Sequence, residues 1–186
     1  MEKKETNLRD CYVIKANRFG DNRGYFESLT IEDLNSLGFK NIEQISRSKS
    51  GKGILRGMHF QKGKYAQAKV VSCINGAVLD VVVDLRTDSP TYGQYTSVEL
   101  TPENGKMLYV PRGFAHGFLS LEEDTIFQYF VDNKYMPTEE GGLIYNDSDI
   151  GINWQFEKYG IEEPICSEKD TKYPTLKKLP DYFKGV

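Results

Sequence analysis

The 186-residue chain carries 24 Lys and Arg against 27 Asp and Glu, a formal charge of −3, and its residues are 39% apolar with 17 glycines besides. This is the composition of one globular domain that can bury a core without disulfides or metals, and it excludes a long disordered chain. No basic excess supports a nucleic-acid partner, although local basic residues remain available to a small anion.

The β-type runs come in order at 12–16, 41–46, 53–60, 69–74, 77–86, 95–100, 107–110, 117–121 and 125–131, with Gly, Pro and Asn between them. The clearest is 77–86. Leu79, Val81, Val83 and Leu85 fall on one face, and Val78, Asp80, Val82, Asp84 and Arg86 on the other. Asn75-Gly76 is a hairpin signal joining 69–74 to it. One segment before the tail reads as helical: Thr30 caps 31–37, Glu32 and Asp33 lie in the first turn, and Gly38 stops it. From about 157 the chain is polar with several prolines, and we expect it to wrap a barrel through short helices and loops. The pattern predicts an all-β sandwich or barrel with short peripheral helices, in a single unit over 1–186. Cys11, Cys73 and Cys166 are too widely spaced for a redox or zinc motif. The start, Met1-Glu2-Lys3-Lys4-Glu5-Thr6, leads into no apolar run, and no stretch approaches the roughly 18 apolar residues of a membrane span. A cytoplasmic protein with reduced thiols and no membrane partner is the expectation.

Only two histidines are available, His59 and His116, each either a satisfied structural residue or a catalyst. If His59 continues its strand, Arg56, Met58 and Phe60 share one face, and Leu55, Gly57, His59 and Gln61 the other. Metal cupins place two histidines one residue apart, and here Gln61 stands in the second place. Two histidines 57 residues apart make a poor metal set even with Asp80 or Asp84 added, so no metal site is expected. Acid–base work then falls to His, Lys, Tyr and carboxylates. Tyr129, in the run 125–131, is either a core ring or a proton donor at the barrel mouth. Lys69 enters an apolar strand, where it either stabilises an oxyanion or extends to the rim.

Five segments in order carry a resemblance. They are Phe19-Gly20-Asp21-Asn22-Arg23-Gly24-Tyr25-Phe26-Glu27-Ser28, Leu55-Arg56-Gly57-Met58-His59-Phe60-Gln61, Asp84-Leu85-Arg86 through Ser89-Pro90-Thr91-Tyr92-Gly93-Gln94, Pro111 to Phe118, and Asn146 to Trp154. With this spacing the chain resembles the dTDP-4-dehydrorhamnose 3,5-epimerase family from near Tyr12 to about Asp170. The resemblance implies a cupin-type jelly-roll, a homodimer that exchanges an N-terminal strand, and no metal or organic cofactor. It implies a dTDP-linked keto-deoxysugar as substrate, epimerised at C3 and C5 beside its C4 ketone. His59 matches the base, Asp170 the carboxylate that orients it, Tyr129 the acid on the opposite face, and Lys69 the residue near the C4 oxygen. Arg23, Glu27, Gln44, Arg56, His116, Tyr135 and Glu140 match substrate-binding positions, with Tyr135 stacking on the base.

One stretch departs from the family. Where relatives often read Gln-Asp-Asn-His-Ser, this chain has Gln44-Ile45-Ser46-Arg47-Ser48, so Ser46 and Arg47 replace an Asn-His pair. That leaves a single-centre epimerase or ketoisomerase on another nucleotide-linked deoxysugar, or a non-catalytic sugar-binding cupin, as alternatives.

Overall fold

The structure is a computed structural model describing residues 1–39 and 41–186. In chain order the strands are β1 (Glu2–Glu5), β2 (Tyr12–Lys15), β3 (Asn17–Asp21), β4 (Gly24–Ser28), β5 (Gln44–Ser50), β6 (Leu55–Gln61), β7 (Lys69–Asn75), β8 (Val78–Asp84), β9 (Tyr95–Leu100), β10 (Lys106–Val110), β11 (Phe114–Ser120), β12 (Thr125–Val131) and β13 (Glu140–Gly142). The helices α1 (Ile31–Asn35) and α2 (Phe156–Tyr159) are short. A six-stranded sheet in the order β1-β2-β10-β7-β12-β5 faces a five-stranded sheet, β13-β6-β11-β8-β9, and β3 and β4 pair separately as a hairpin. This is the β-sandwich that the strand pattern predicts, of the cupin type that the family resemblance implies.

The alternation along β8 explains how the layers stack. Val78 and Val82 pack between the sheets against Val71, Leu100, Leu108, Phe118 and Phe127. Leu79, Val81, Val83 and Leu85 point the other way, into a second cluster with Leu143, Trp154, Ile161 and Phe183 of the tail. The tail is thus the lid of the five-stranded sheet, and each of these fully buried aliphatic side chains contributes about 1.5–3 kcal/mol of burial. On the far side, Leu34, Leu37 and Phe39 from and after α1 cover Ile14, Val70 and Tyr109 of the six-stranded sheet. Thr30 caps α1 through a reciprocal box with Asp33, but the helix stops at Asn35 and loose turns run on to Gly38.

Three expectations are corrected. Asn75-Gly76 does not close a hairpin: β7 pairs with β10 and β12, and β8 with β11 and β9, so the turn carries the chain from one sheet to the other. The strand expected at 41–46 lies at Gln44–Ser50, because its inward side faces a polar cavity and shows serines where a core strand shows aliphatics. The simple alternation expected along β6 fails as well. His59 pairs with His116 and Arg56 with Phe118, so two β6 residues oppose the single Gly117 and form a bulge. The bulge turns Arg56 and His59 to the same cavity while Met58 and Phe60 enter the tail-side core.

That bulge needs two glycines back to back. A Cβ on Gly117 falls 2.7 Å from the Arg56 carbonyl oxygen and from Met58 Sδ, and one on Gly57 falls 2.5 Å from Gly117 Cα. Gly117→Ala is expected to destabilise the fold by about 1–3 kcal/mol, the usual cost of overpacking, read as a lower denaturant midpoint.

Candidate active site

The two sheets bring most of the expected chemistry into one cavity of about 680 Å³, lined by Ser48, Arg56, His59, Lys69, His116, Tyr129, Lys169 and Asp170 among others. The five-stranded sheet supplies Arg56 and His59 from β6 and His116 from β11. The six-stranded sheet supplies Ser48 from β5, Lys69 from the first position of β7 and Tyr129 from β12. Lys69 pairs with Val131, two residues beyond Tyr129, so the ammonium and the phenol project from the same face of adjacent strands.

His59 Nε2 lies 2.7 Å from Asp170 Oδ1, and their side chains are 30% and 4% exposed. Burial pushes the Asp170 carboxyl upward, but hydrogen bonds from His59, the Gly57 N–H and Ser167 together hold it below the ordinary carboxylate range. Asp170 is therefore an anion that accepts from Nε2–H, which leaves the lone pair on Nδ1.

A second pair sits deeper. His116 Nε2 is 2.7 Å from Asp80 Oδ1, both fully enclosed. Burial pushes the imidazole down against the pull of Asp80, and pushes the Asp80 carboxyl up against His116 and Lys69. The Tyr129 ring stands edge-on to His116 with centroids 6.1 Å apart, and its hydroxyl is 3.5 Å from Ser48 Oγ. Burial raises the Tyr129 phenol well above its usual value, so it holds its proton. Burial lowers Lys69 to about 8, with Asp80 and Glu140 pulling the other way. Among the described residues Lys69 forms no ion pair, so its ammonium is free to face a ligand. No group of three or more His, Cys, Asp or Glu among the described residues is arranged to hold a metal.

The remaining expected residues lie elsewhere. Glu140 sits at the rim, accepting from Tyr135 Oη at 2.7 Å and Tyr173 Oη at 2.9 Å and pairing with Lys169. Gln44 is exposed at the start of β5 and donates to Ser46 Oγ. Arg23 is 85% exposed in the β3–β4 turn, held by Asp21, and Glu27 pairs with Arg18 beside a separate cavity between the hairpin and the outer face of the six-stranded sheet. Neither reaches the main cavity within this chain. Arg47 faces away from it, its Nε donating to Gln128 Oε1 at 2.7 Å. Asp80 as the partner of His116, Tyr173 and Lys169 were missed by sequence reasoning. A carboxylate between Leu79 and Val81 was the available signal for Asp80; the tail offered none for the others.

Fold and site together define a cupin-type β-sandwich with acid–base groups on both inner walls. The model of the family described as dTDP-4-dehydrorhamnose 3,5-epimerase matches residues 5–178. The chain is 43% identical over 177 residues to the dTDP-4-dehydrorhamnose 3,5-epimerase of Salmonella typhimurium, covering 92% of this chain and 93% of that protein. A crystal structure of the Elizabethkingia anophelis enzyme of that name is 45% identical with a TM-score of 0.88, covering 95% of this chain and 97% of that one. The Legionella pneumophila dTDP-6-deoxy-D-glucose-3,5-epimerase, in complex with dTDP-4-keto-L-rhamnose, is 34% identical with a TM-score of 0.89 over 96% of this chain and 94% of that one. The chain belongs to the dTDP-4-dehydrorhamnose 3,5-epimerase family.

Asp170→Asn keeps the shape of the carboxylate but not its charge or its fixed acceptor role toward Nε2–H. It is expected to lower kcat by about 10²–10⁴-fold, the scale of a misplaced general base, with dTDP affinity by calorimetry unchanged.

Proposed function

We propose that the chain epimerises a dTDP-4-keto-6-deoxyhexose at C3 and C5, converting dTDP-4-dehydro-6-deoxyglucose to dTDP-4-dehydro-L-rhamnose. The observation that carries this reading is His59 and Tyr129 lining one cavity from opposed sheets, with Lys69 between them in sequence and beside Tyr129 in space.

The chemistry follows from the ketone. A C–H next to C4 is acidic only because the enolate places its charge on the C4 oxygen, so a base must meet the proton while a cation meets the oxygen. His59, its tautomer set by Asp170, removes the proton. The Lys69 ammonium receives the developing oxyanion. The Tyr129 O–H then delivers a proton to the opposite face of the same carbon, which inverts the centre; solvent restores the phenol and takes the proton from the imidazolium. Each well-placed transfer is worth about 10²–10⁴-fold in rate. A phenol whose pKa is raised remains protonated through neutral pH and still loses its proton to a far more basic enolate carbon.

Arg56, lining the cavity, has the forked guanidinium suited to the diphosphate, and Tyr135 with Glu140 at the rim suits the thymidine end. The chain acts as one catalytic unit over 1–186 and pairs as a homodimer. The β3–β4 hairpin supports this, with Phe19 and Phe26 exposed at 65% and 67% and Arg23 and Glu27 carried away from their own cavity. In the pair, each hairpin brings Arg23 and Glu27 toward the neighbour's substrate. Three free cysteines and no helix among the described residues long and apolar enough to cross a membrane accord with work in the cytoplasm.

Incubation with the dTDP-ketosugar in deuterated water is expected to place label at both C3 and C5 by NMR, with none in His59→Ala; label at one carbon, or binding without exchange, sinks the double epimerisation. The charge on Lys69 predicts an alkaline limb. With its free-enzyme value lowered to about 8 by burial, kcat/KM falls as pH rises through that value and the ammonium is lost. Lys69→Arg, permanently charged, moves the limb upward.

A further inference from the structure

We propose that Tyr173 is a positioning residue for His59, bracing the imidazole with its ring and anchoring that brace to Glu140 through its hydroxyl. The inference deepens the catalytic reading and rests on His59 being the base.

Three observations converge on Tyr173. Its ring meets the His59 ring edge-on, with centroids 5.8 Å apart and planes at 73°. That geometry suits the quadrupole of the phenol and restricts how far the imidazole tilts. Its hydroxyl donates to Glu140 Oε1 at 2.9 Å, so the brace is fixed at both ends. Its seat exists only because residue 142 is glycine: a Cβ there falls 2.3–2.4 Å from three carbons of the Tyr173 ring. Gly142 is also the residue of β13 that pairs with His59 on β6, so the Tyr173 ring lies over the strand pair that carries the base.

The local backbone adds a reason. Asp170 opens a 3-10 turn, Asp170–Lys172, and Tyr173 closes it. One turn therefore supplies both restraints on the imidazole, a hydrogen bond at Nε2 and a ring contact. Pro174 follows and its carbonyl accepts from the Ile144 N–H at 3.0 Å, which ties the end of the turn to the strand side of the cavity. Asp170 alone sets the tautomer and one point of the ring, which leaves rotation about the Nε2–carboxylate axis. Contact with Tyr173 removes that freedom. Glu140 connects the brace outward, since it also accepts from Tyr135 and pairs with Lys169.

The test compares Tyr173→Ala and Tyr173→Phe with wild type, each checked as folded by circular dichroism. Kinetics with the dTDP-ketosugar are expected to show kcat for Tyr173→Ala down about 10- to 100-fold, the scale of a slightly misplaced reacting group, with KM little changed. Tyr173→Phe keeps the ring and loses one hydrogen bond, so it recovers most of that loss. Independently of substrate, proton–nitrogen NMR of the histidine rings is expected to show His59 protonated at Nε2 in all three proteins, since Asp170 is intact, with its ring resonances sharp in wild type and Tyr173→Phe and broadened by ring motion in Tyr173→Ala. Wild-type kcat in Tyr173→Ala, a change in KM alone, or His59 ring resonances as sharp in Tyr173→Ala as in wild type overturns the proposal. If wild type itself shows no turnover or solvent exchange, the catalytic reading fails, and the NMR comparison still decides whether Tyr173 orients His59.

Discussion

The hydrogen bond between His59 and Asp170 joins groups 111 residues apart in sequence, and the site depends on it. An ionised carboxylate this buried is costly unless it is paired and fully hydrogen-bonded. Here the pairing partner is the imidazole, and the Gly57 N–H at 3.3 Å supplies a further donor. To bring Asp170 there, the tail must cross the outer face of the five-stranded sheet, and it does so by burying Trp154, Ile161 and Phe183 against the odd-numbered side of β8. The apolar packing of the tail and the orientation of His59 are thus one structural fact. A change that loosens the tail core also frees the imidazole.

A sandwich is well suited to inversion for a geometric reason. Removing a proton from one face of a carbon and returning one to the other requires two proton carriers on opposed walls. The two sheets are such walls. His59 and His116 are direct cross-strand partners on one, and Lys69 and Tyr129 share a face of the other. No conformational change is needed to place the groups across from each other. Their environments accord with the proposed roles: the half-buried imidazole of His59 is paired with an anion, whereas burial around the Tyr129 hydroxyl keeps that phenol protonated. The enclosed pair of Asp80 and His116 lies behind them, with His116 against the Tyr129 ring.

The strands legible in the sequence were those with a core on at least one side. β9 and β12 lie where the alternation puts them, and β7, β8 and β10 differ by a residue or a few at their ends. The illegible ones lack that signal. β1 is Glu-Lys-Lys-Glu, exposed along its whole length at a sheet edge where charge discourages further pairing. The β3–β4 hairpin carries aromatics that face solvent in this chain. At the site, His59, Lys69 and Tyr129 could be singled out from residue type and strand context, but Asp170 came only through family resemblance, and Tyr173 not at all. A contact made by a tail returning over a barrel leaves no periodicity behind. The bulge in β6 is equally silent, since Gly57 and Gly117 reveal their mutual approach only when the two strands are side by side.

The same reasoning narrows the one departure from the family pattern. Side chains alternate along β5, and Ser48 approaches the Tyr129 hydroxyl, so Gln44, Ser46 and Ser48 share the inner face. Arg47 is on the outer face, opposite Gln128 in register and hydrogen-bonded to it, and Gln128 borders the cavity under the hairpin rather than the catalytic one. Of the three residues that differ from that pattern, Ile45 and Arg47 lie on the outer face, and only Ser46 stands where a ligand in the main cavity is within reach of β5. A serine there is shorter than the asparagine of the relatives, and its hydroxyl already accepts from Gln44 Nε2 at 2.8 Å. Position 46 therefore belongs to the inner wall, directly opposite Tyr129 in register, while position 47 belongs to the outer sheet surface beneath the hairpin.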